Sequence, residues 1–113
     1  VGGGGERDHG KRPLMGQAAC VADEVVLTSD NPRSEDAKEI LKQIQAGTTK
    51  PCTVIEDRRK AIEYAAEHAA ADDVILVAGK GHEDYQEVKG VKHHFSDVEE
   101  TREALRKLRN KNE

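Results

Sequence analysis

Tryptophan is absent, and one phenylalanine and two tyrosines are the only aromatic residues in 113. A core must therefore be assembled from Val, Ile, Leu and Ala, in a chain whose apolar and charged fractions are both 35%. Cysteine is nearly absent too. Cys20 and Cys52 stand far apart, outside any CxxC spacing, so two buried, reduced thiols are expected rather than a disulfide. No apolar run approaches the roughly 18 to 20 residues that cross a bilayer, and no apolar leader follows Val1. The expectation is a cytoplasmic chain without membrane insertion. The net charge of -4 lacks the basic excess that a phosphate-neutralising surface requires, which argues against a nucleic-acid partner. Length alone fits one domain, residues 1–113, because single cores of roughly 100 to 150 residues are the commonest size.

What is present alternates short β-branched runs with helical periods, the signature of βαβ units. Val25–Leu27, Val54–Ile55 and Val74–Val77 read as strands buried on both faces. Between them Pro13 suits a first helical turn and leads Leu14, Met15, Ala18, Ala19 and Ala22. A second helix is expected to be capped by Ser34 and ended by Gly47, with Ala37, Ile40, Leu41 and Ile44 on its buried face. A third follows Asp57 and carries Ala61, Ile62, Ala65, Ala66 and Ala69. Lys89-Gly90 then reads as a hairpin turn between Tyr85–Val88 and Val91–Phe95. Ser96-Asp97-Val98-Glu99 forms a capping box for a last helix with Val98, Leu105 and Leu108 as its apolar stripe. The fold class is α/β, a Rossmann-like three-layer sandwich with a mainly parallel sheet and an antiparallel carboxyl-terminal hairpin. Only Val1 precedes the glycine run Gly2–Gly5, where such a fold places a strand, so the first strand is expected to be truncated.

Three polar loops carry the chemistry. Gly2–Gly5 with Arg7, Asp8, Lys11 and Arg12 would let backbone and cations approach an anion, although the segment matches neither GxGxxG nor a P-loop, and a flexible run reads as well. Asp30-Asn31-Pro32-Arg33 lies beyond the carboxyl end of the second strand, where open α/β sheets bind ligands. Asp30 suits an ammonium, Asn31 offers a donor and an acceptor, and Arg33 can hold a carboxylate in a two-pronged grip; a plain Asp/Asn/Pro turn is equally compatible. Gly79–Asp84 follows the next apolar run, with Gly79 permitting close approach and Glu83 adding a carboxylate. His82 is a lone loop histidine. His93 and His94 are adjacent in a strand and face opposite ways, which argues against a joint metal site. No residue is assigned a catalytic role.

Taken in order, Gly4-Gly5-Glu6-Arg7-Asp8, Lys11–Gly16, Thr28–Arg33 and Ala78–Gln86 closely resemble the carboxyl-terminal domain of MurE-type Mur ligases. The resemblance covers nearly the whole chain; Glu6 departs from the aspartate usual in the family. It implies the amino-acid-binding domain of a longer, three-domain, ATP-dependent ligase, inactive by itself. The partners implied are meso-diaminopimelate, with UDP-N-acetylmuramoyl dipeptide, ATP and Mg2+ held mainly by the other domains. By the same resemblance Arg7 and Arg33 bind the distal carboxylate, and Asp30, Asn31, Gly79 and Glu83 complete that end of the pocket. Asp8, Lys11 and Arg12 lie nearer the nucleotide. Competing readings are a lysine-adding or folylpolyglutamate-type ligase, which the Asp-Asn-Pro-Arg run disfavours, and a non-catalytic α/β binding module.

Overall fold

A computed structural model describes residues 1–3, 10–80 and 83–112. In chain order the elements are β1 (Gly2–Gly3), α1 (Lys11–Ala19), β2 (Val26–Ser29), α2 (Ala37–Gln45), β3 (Thr53–Val54), α3 (Arg58–His68), β4 (Tyr85–Val88), β5 (Val91–His94) and α4 (Asp97–Asn112). Strands β1, β2 and β3 form a parallel sheet in that spatial order, and β4 pairs with β5 in an antiparallel hairpin.

Two apolar clusters pack against β2 and the segments flanking the sheet. Val25 and Leu27 meet Ile40, Leu41 and Ile44 of α2, with Met15 and Ala19 of α1 against them. Ile62 and Ala66 of α3 gather with Ala104 of α4 around Phe95, the single phenylalanine. Each fully buried Ile or Leu contributes about 1.5–3 kcal/mol. Helices α1 and α2 thus cover one face and α3 and α4 the other, the three layers expected.

Helix ends show how local chemistry sets the boundaries. The Asp36 carboxylate caps α2 by accepting from Lys38 N–H at 2.9 Å, and Asp57 caps α3 by accepting from Lys60 N–H at 3.2 Å. Ser34, the cap expected for α2, lies outside the helix and is exposed. At α4 half of the capping box forms: Glu99 N–H donates to Ser96 Oγ at 3.3 Å, while the Glu99 carboxylate turns to His94. The hairpin turn has Lys89 at φ 52° and Gly90 at φ 80°, both left-handed, as a two-residue turn that matches strand twist requires.

Three further expectations change. Val74–Val77 forms no strand: among the described residues β1 spans two residues and meets this segment through a hydrogen bond from Gly2 N–H to Ala78 O, and Val74 and Leu76 are 93% and 82% exposed. On α4, Asp97 and Ala104 are buried while Val98 and Leu105 are exposed, because Asp97 is drawn inward by Arg58 and rotates the helix off its most apolar stripe. Helix α1 stops at Ala19, leaving Ala22 beyond it and Leu14 in solvent, and the two cysteines are free and half-buried.

Gly47 follows α2 without a left-handed φ, so its role is space and not capping. A Cβ there would stand 1.7 Å from Pro13 O, and one on Gly16 would stand 2.0 Å from Ile44 O, so α1 and α2 touch backbone to backbone at both glycines. Gly47→Ala should lower the unfolding free energy by about 1–3 kcal/mol through overpacking. Gly90→Ala meets no atom within 4 Å and should cost only the left-handed strain of about 1 kcal/mol. Urea unfolding of both variants checks that order.

Candidate functional site

The carboxyl end of β2 runs straight into Asp30-Asn31-Pro32-Arg33, and this loop is pinned from the opposite side by β4. Arg33 N–H donates to Glu87 O at 3.0 Å, and Glu87 N–H donates to Asn31 Oδ1 at 2.9 Å. Gln86 Nε2 reaches Ser29 Oγ at 3.1 Å. The pinning holds Arg33 at φ 55°, a left-handed conformation that costs an L-residue with a long side chain about 1–2 kcal/mol. Such strain persists only where surrounding bonds over-determine it.

Beneath the loop lies a buried cation. The Lys80 side chain has no exposed surface, and its ammonium donates to Asp30 Oδ1 at 2.7 Å, Asn31 Oδ1 at 3.3 Å and Tyr85 O at 2.7 Å. The Asp30 carboxylate, which the sequence suggested for a ligand ammonium, thus receives one from within the protein. A second buried cation joins the layers. Arg58, 1% exposed, makes a two-pronged bond to Asp97, with Nε to Oδ1 and Nη2 to Oδ2 both at 2.7 Å. It also donates to Ser29 O at 3.1 Å and Ala78 O at 3.3 Å, tying β2 and Ala78 to both helices of one face.

At the rim Tyr85 bonds one candidate charge, Glu83, and feels the other, Arg33. Its hydroxyl donates to Glu83 Oε2 at 3.2 Å, and the negative charge of Glu83 pushes the phenol above its ordinary range while the Arg33 guanidinium pulls it back. Gly79 adopts φ +126°, and a Cβ there would stand 3.1 Å from Gly2 O and 3.6 Å from Asp30 Oδ2. Asp30, Asn31, Arg33, Gly79 and Glu83 therefore share one end of the sheet. Arg7 and Asp8 lie outside the described residues, as do Glu6, Gly81 and His82. Lys11 is exposed at the start of α1, whereas Arg12 is buried with its fork on Glu35 (3.0 Å to each oxygen) and Gln43 (2.7 Å).

Next to this rim an open cleft of about 490 Å³ is lined by Ser29, Pro32, Arg59, Gln86, His93 and Phe95, among others, but not by Arg33 or Glu83. Among the described residues, no group of three or more His, Cys, Asp or Glu is placed to hold a metal ion.

Sequence reasoning missed Lys80, Arg58 and the inward face of Asp97. A lysine is nearly always solvated, so burial of Lys80 is invisible without the fold; its flanking glycines just past an apolar run were the available signal.

The family model for the Mur ligase, glutamate ligase domain, matches residues 1–81. The chain belongs to the Mur ligases. Among similar Mur ligases, a protein of Neisseria meningitidis serogroup A named UDP-N-acetylmuramoyl-L-alanyl-D-glutamate--2,6-diaminopimelate ligase is 58% identical over 105 residues, covering 92% of this chain and 21% of its own. One of the same name from Phocaeicola vulgatus is 56% identical over 110 residues, covering 93% and 23%. A solved structure titled as that ligase superposes with a TM-score of 0.91 at 50% identity, over 96% of this chain and 23% of its own. This Mur ligase domain thus spans about a fifth of the length of the curated relatives it matches.

The opposed charges on Tyr85 give a direct check on this geometry. With Tyr64 replaced by Phe to isolate the signal, Glu83→Gln should move the Tyr85 phenolate titration down toward the ordinary value, and Arg33→Ala should move it further up. Alkaline absorbance titration reads both; no movement in either would place these charges away from Tyr85.

Proposed function

We propose that these residues present the incoming amino acid in an ATP-dependent ligase that adds meso-2,6-diaminopimelate to UDP-N-acetylmuramoyl-L-alanyl-D-glutamate during peptidoglycan synthesis, in the cytoplasm. One observation carries the reading: Lys80 bonds Asp30 and Asn31 of the loop after β2 and Tyr85 at the start of β4, and Tyr85 bonds Glu83, so the loop that ends in Arg33 and the carboxylate of Glu83 belong to one end of the sheet. A guanidinium and a carboxylate at one end of the sheet match the carboxylate and ammonium of an amino-acid end group. The names of relatives 52–58% identical point to the same substrate.

In this reading Arg33 grips the distal carboxylate in a two-pronged fashion, Arg7 supports it, and Glu83 takes the neighbouring ammonium. Gly79 leaves room for the ligand beside the backbone. Asp30 and Asn31 keep the Arg33 loop in place through Lys80 and Glu87. The amine at the other end of diaminopimelate then points away from this domain, toward an acyl phosphate that ATP and Mg2+ generate on the dipeptide in the other domains. Of the cations assigned to the nucleotide side, Lys11 is the one exposed to solvent; Asp8 stays with it in the proposal, and the Arg12 fork serves α1–α2 packing.

Selectivity follows from what lysine lacks. Without a distal carboxylate it forgoes a charge-assisted bond to the half-buried Arg33, a difference of about 1.5–3 kcal/mol by order of magnitude. In the full-length enzyme, Arg33→Ala should lower kcat/KM for meso-diaminopimelate by about a hundredfold or more and shrink its advantage over lysine. An unchanged preference in competitive incorporation would remove Arg33 from this role. Calorimetric titration of the 113 residues alone should show weak or no binding of meso-diaminopimelate, because domain closure completes the pocket. Tight binding would make closure unnecessary.

A further inference from the structure

Lys80 is assigned no part in binding by any motif of the sequence, yet it is the most deeply placed charge beneath the candidate site, 3% exposed with a fully covered side chain. An ammonium has three N–H donors, and all three have acceptors: Asp30 Oδ1, Asn31 Oδ1 and Tyr85 O. The Phe95 ring lies 5.9 Å away on another side. These acceptors come from two different segments, the loop after β2 and the first residue of β4. Lys80 therefore fixes one against the other.

The connection continues to the rim. Asn31 Oδ1 also accepts from Glu87 N–H, and Glu87 O accepts from Arg33 N–H, so the same short stretch of β4 that Lys80 anchors through Tyr85 holds Arg33 at its left-handed φ. Tyr85 in turn holds Glu83. The Lys80 ammonium reaches Arg33 through Asn31 and Glu87, and Glu83 through Tyr85, while the Glu83 N–H also donates to the Lys80 carbonyl oxygen at 3.0 Å. We propose that Lys80 is a positioning residue for amino-acid recognition: its buried ammonium, by binding Asp30, Asn31 and Tyr85 together, sets the spacing of Arg33 and Glu83. The inference rests on the functional reading above and deepens it, since it moves Asp30 and Asn31 from ligand contacts to supports of the residues that make them.

A merely architectural lysine would change all kinetic constants together or only the fraction folded. A positioning lysine affects one substrate. In the full-length enzyme, Lys80→Met should raise KM for meso-diaminopimelate by about tenfold or more, with KM for ATP and for the UDP-linked dipeptide within about twofold of wild type. The preference for meso-diaminopimelate over lysine should fall in parallel. Because Lys80→Met leaves a buried carboxylate without its cation and can prevent folding, Lys80→Arg supplies the second variant. It keeps the charge but misplaces the donors, and should raise the same KM by about threefold or more with the other two again unmoved. KM values that stay level, or rise together for all three substrates, in whichever variants fold would overturn the inference while leaving the functional reading intact. A wild-type enzyme that does not incorporate meso-diaminopimelate at all would overturn that reading, and the Lys80 inference with it.

Discussion

A cation can be removed from water inside a protein only where acceptors replace its hydration, and Arg58 and Lys80 are the buried cations beneath the candidate site. Arg58 draws the ends of β2, α3, α4 and Ala78 to one point, and Lys80 does the same for the loop after β2 and the start of β4. The apolar clusters supply most of the stabilisation, but they are small and, Phe95 apart, made of aliphatic groups that tolerate sliding. Directional bonds from buried charges fix the register that packing of this kind leaves loose. The arrangement carries a liability: loss of either partner strands the other charge in the interior, at about 3–5 kcal/mol.

Function grows from that constraint. The rim holds a guanidinium in a conformation the backbone alone disfavours, and a carboxylate steadied by a phenol. Neither position follows from local propensity. Both depend on bonds from below, which is how a site on loops acquires the rigidity that discrimination between two similar amino acids demands. The glycines serve the same end differently: Gly16 and Gly47 let α1 and α2 close on each other, and Gly79 brings backbone to the rim.

Much of this was legible in the residues. The helical periods of α2 and α3, the Lys89-Gly90 turn and the layer order follow from spacing and turn chemistry, and the ordered loops carried the family resemblance. What stayed hidden shares a cause. Val74–Val77 has every local mark of a strand, yet a strand exists only through its neighbour, and the neighbour here spans two residues. The inward face of α4 is chosen by the Arg58–Asp97 pair and not by its leucines, a partnership between residues 39 positions apart. Lys80 is the same case: composition places lysine outside, and only the fold reveals three acceptors converging on it.

The central claim is that Arg33 and Glu83, held by this buried network, grip the far end of a doubly charged amino acid. A crystal structure of the full-length enzyme with meso-diaminopimelate bound tests it most directly. The account predicts the distal carboxylate within hydrogen-bond distance of both outer nitrogens of Arg33, the adjacent ammonium on Glu83, and Lys80 still bonded to Asp30. Density placing that carboxylate elsewhere, with Arg33 turned from the ligand, would contradict it.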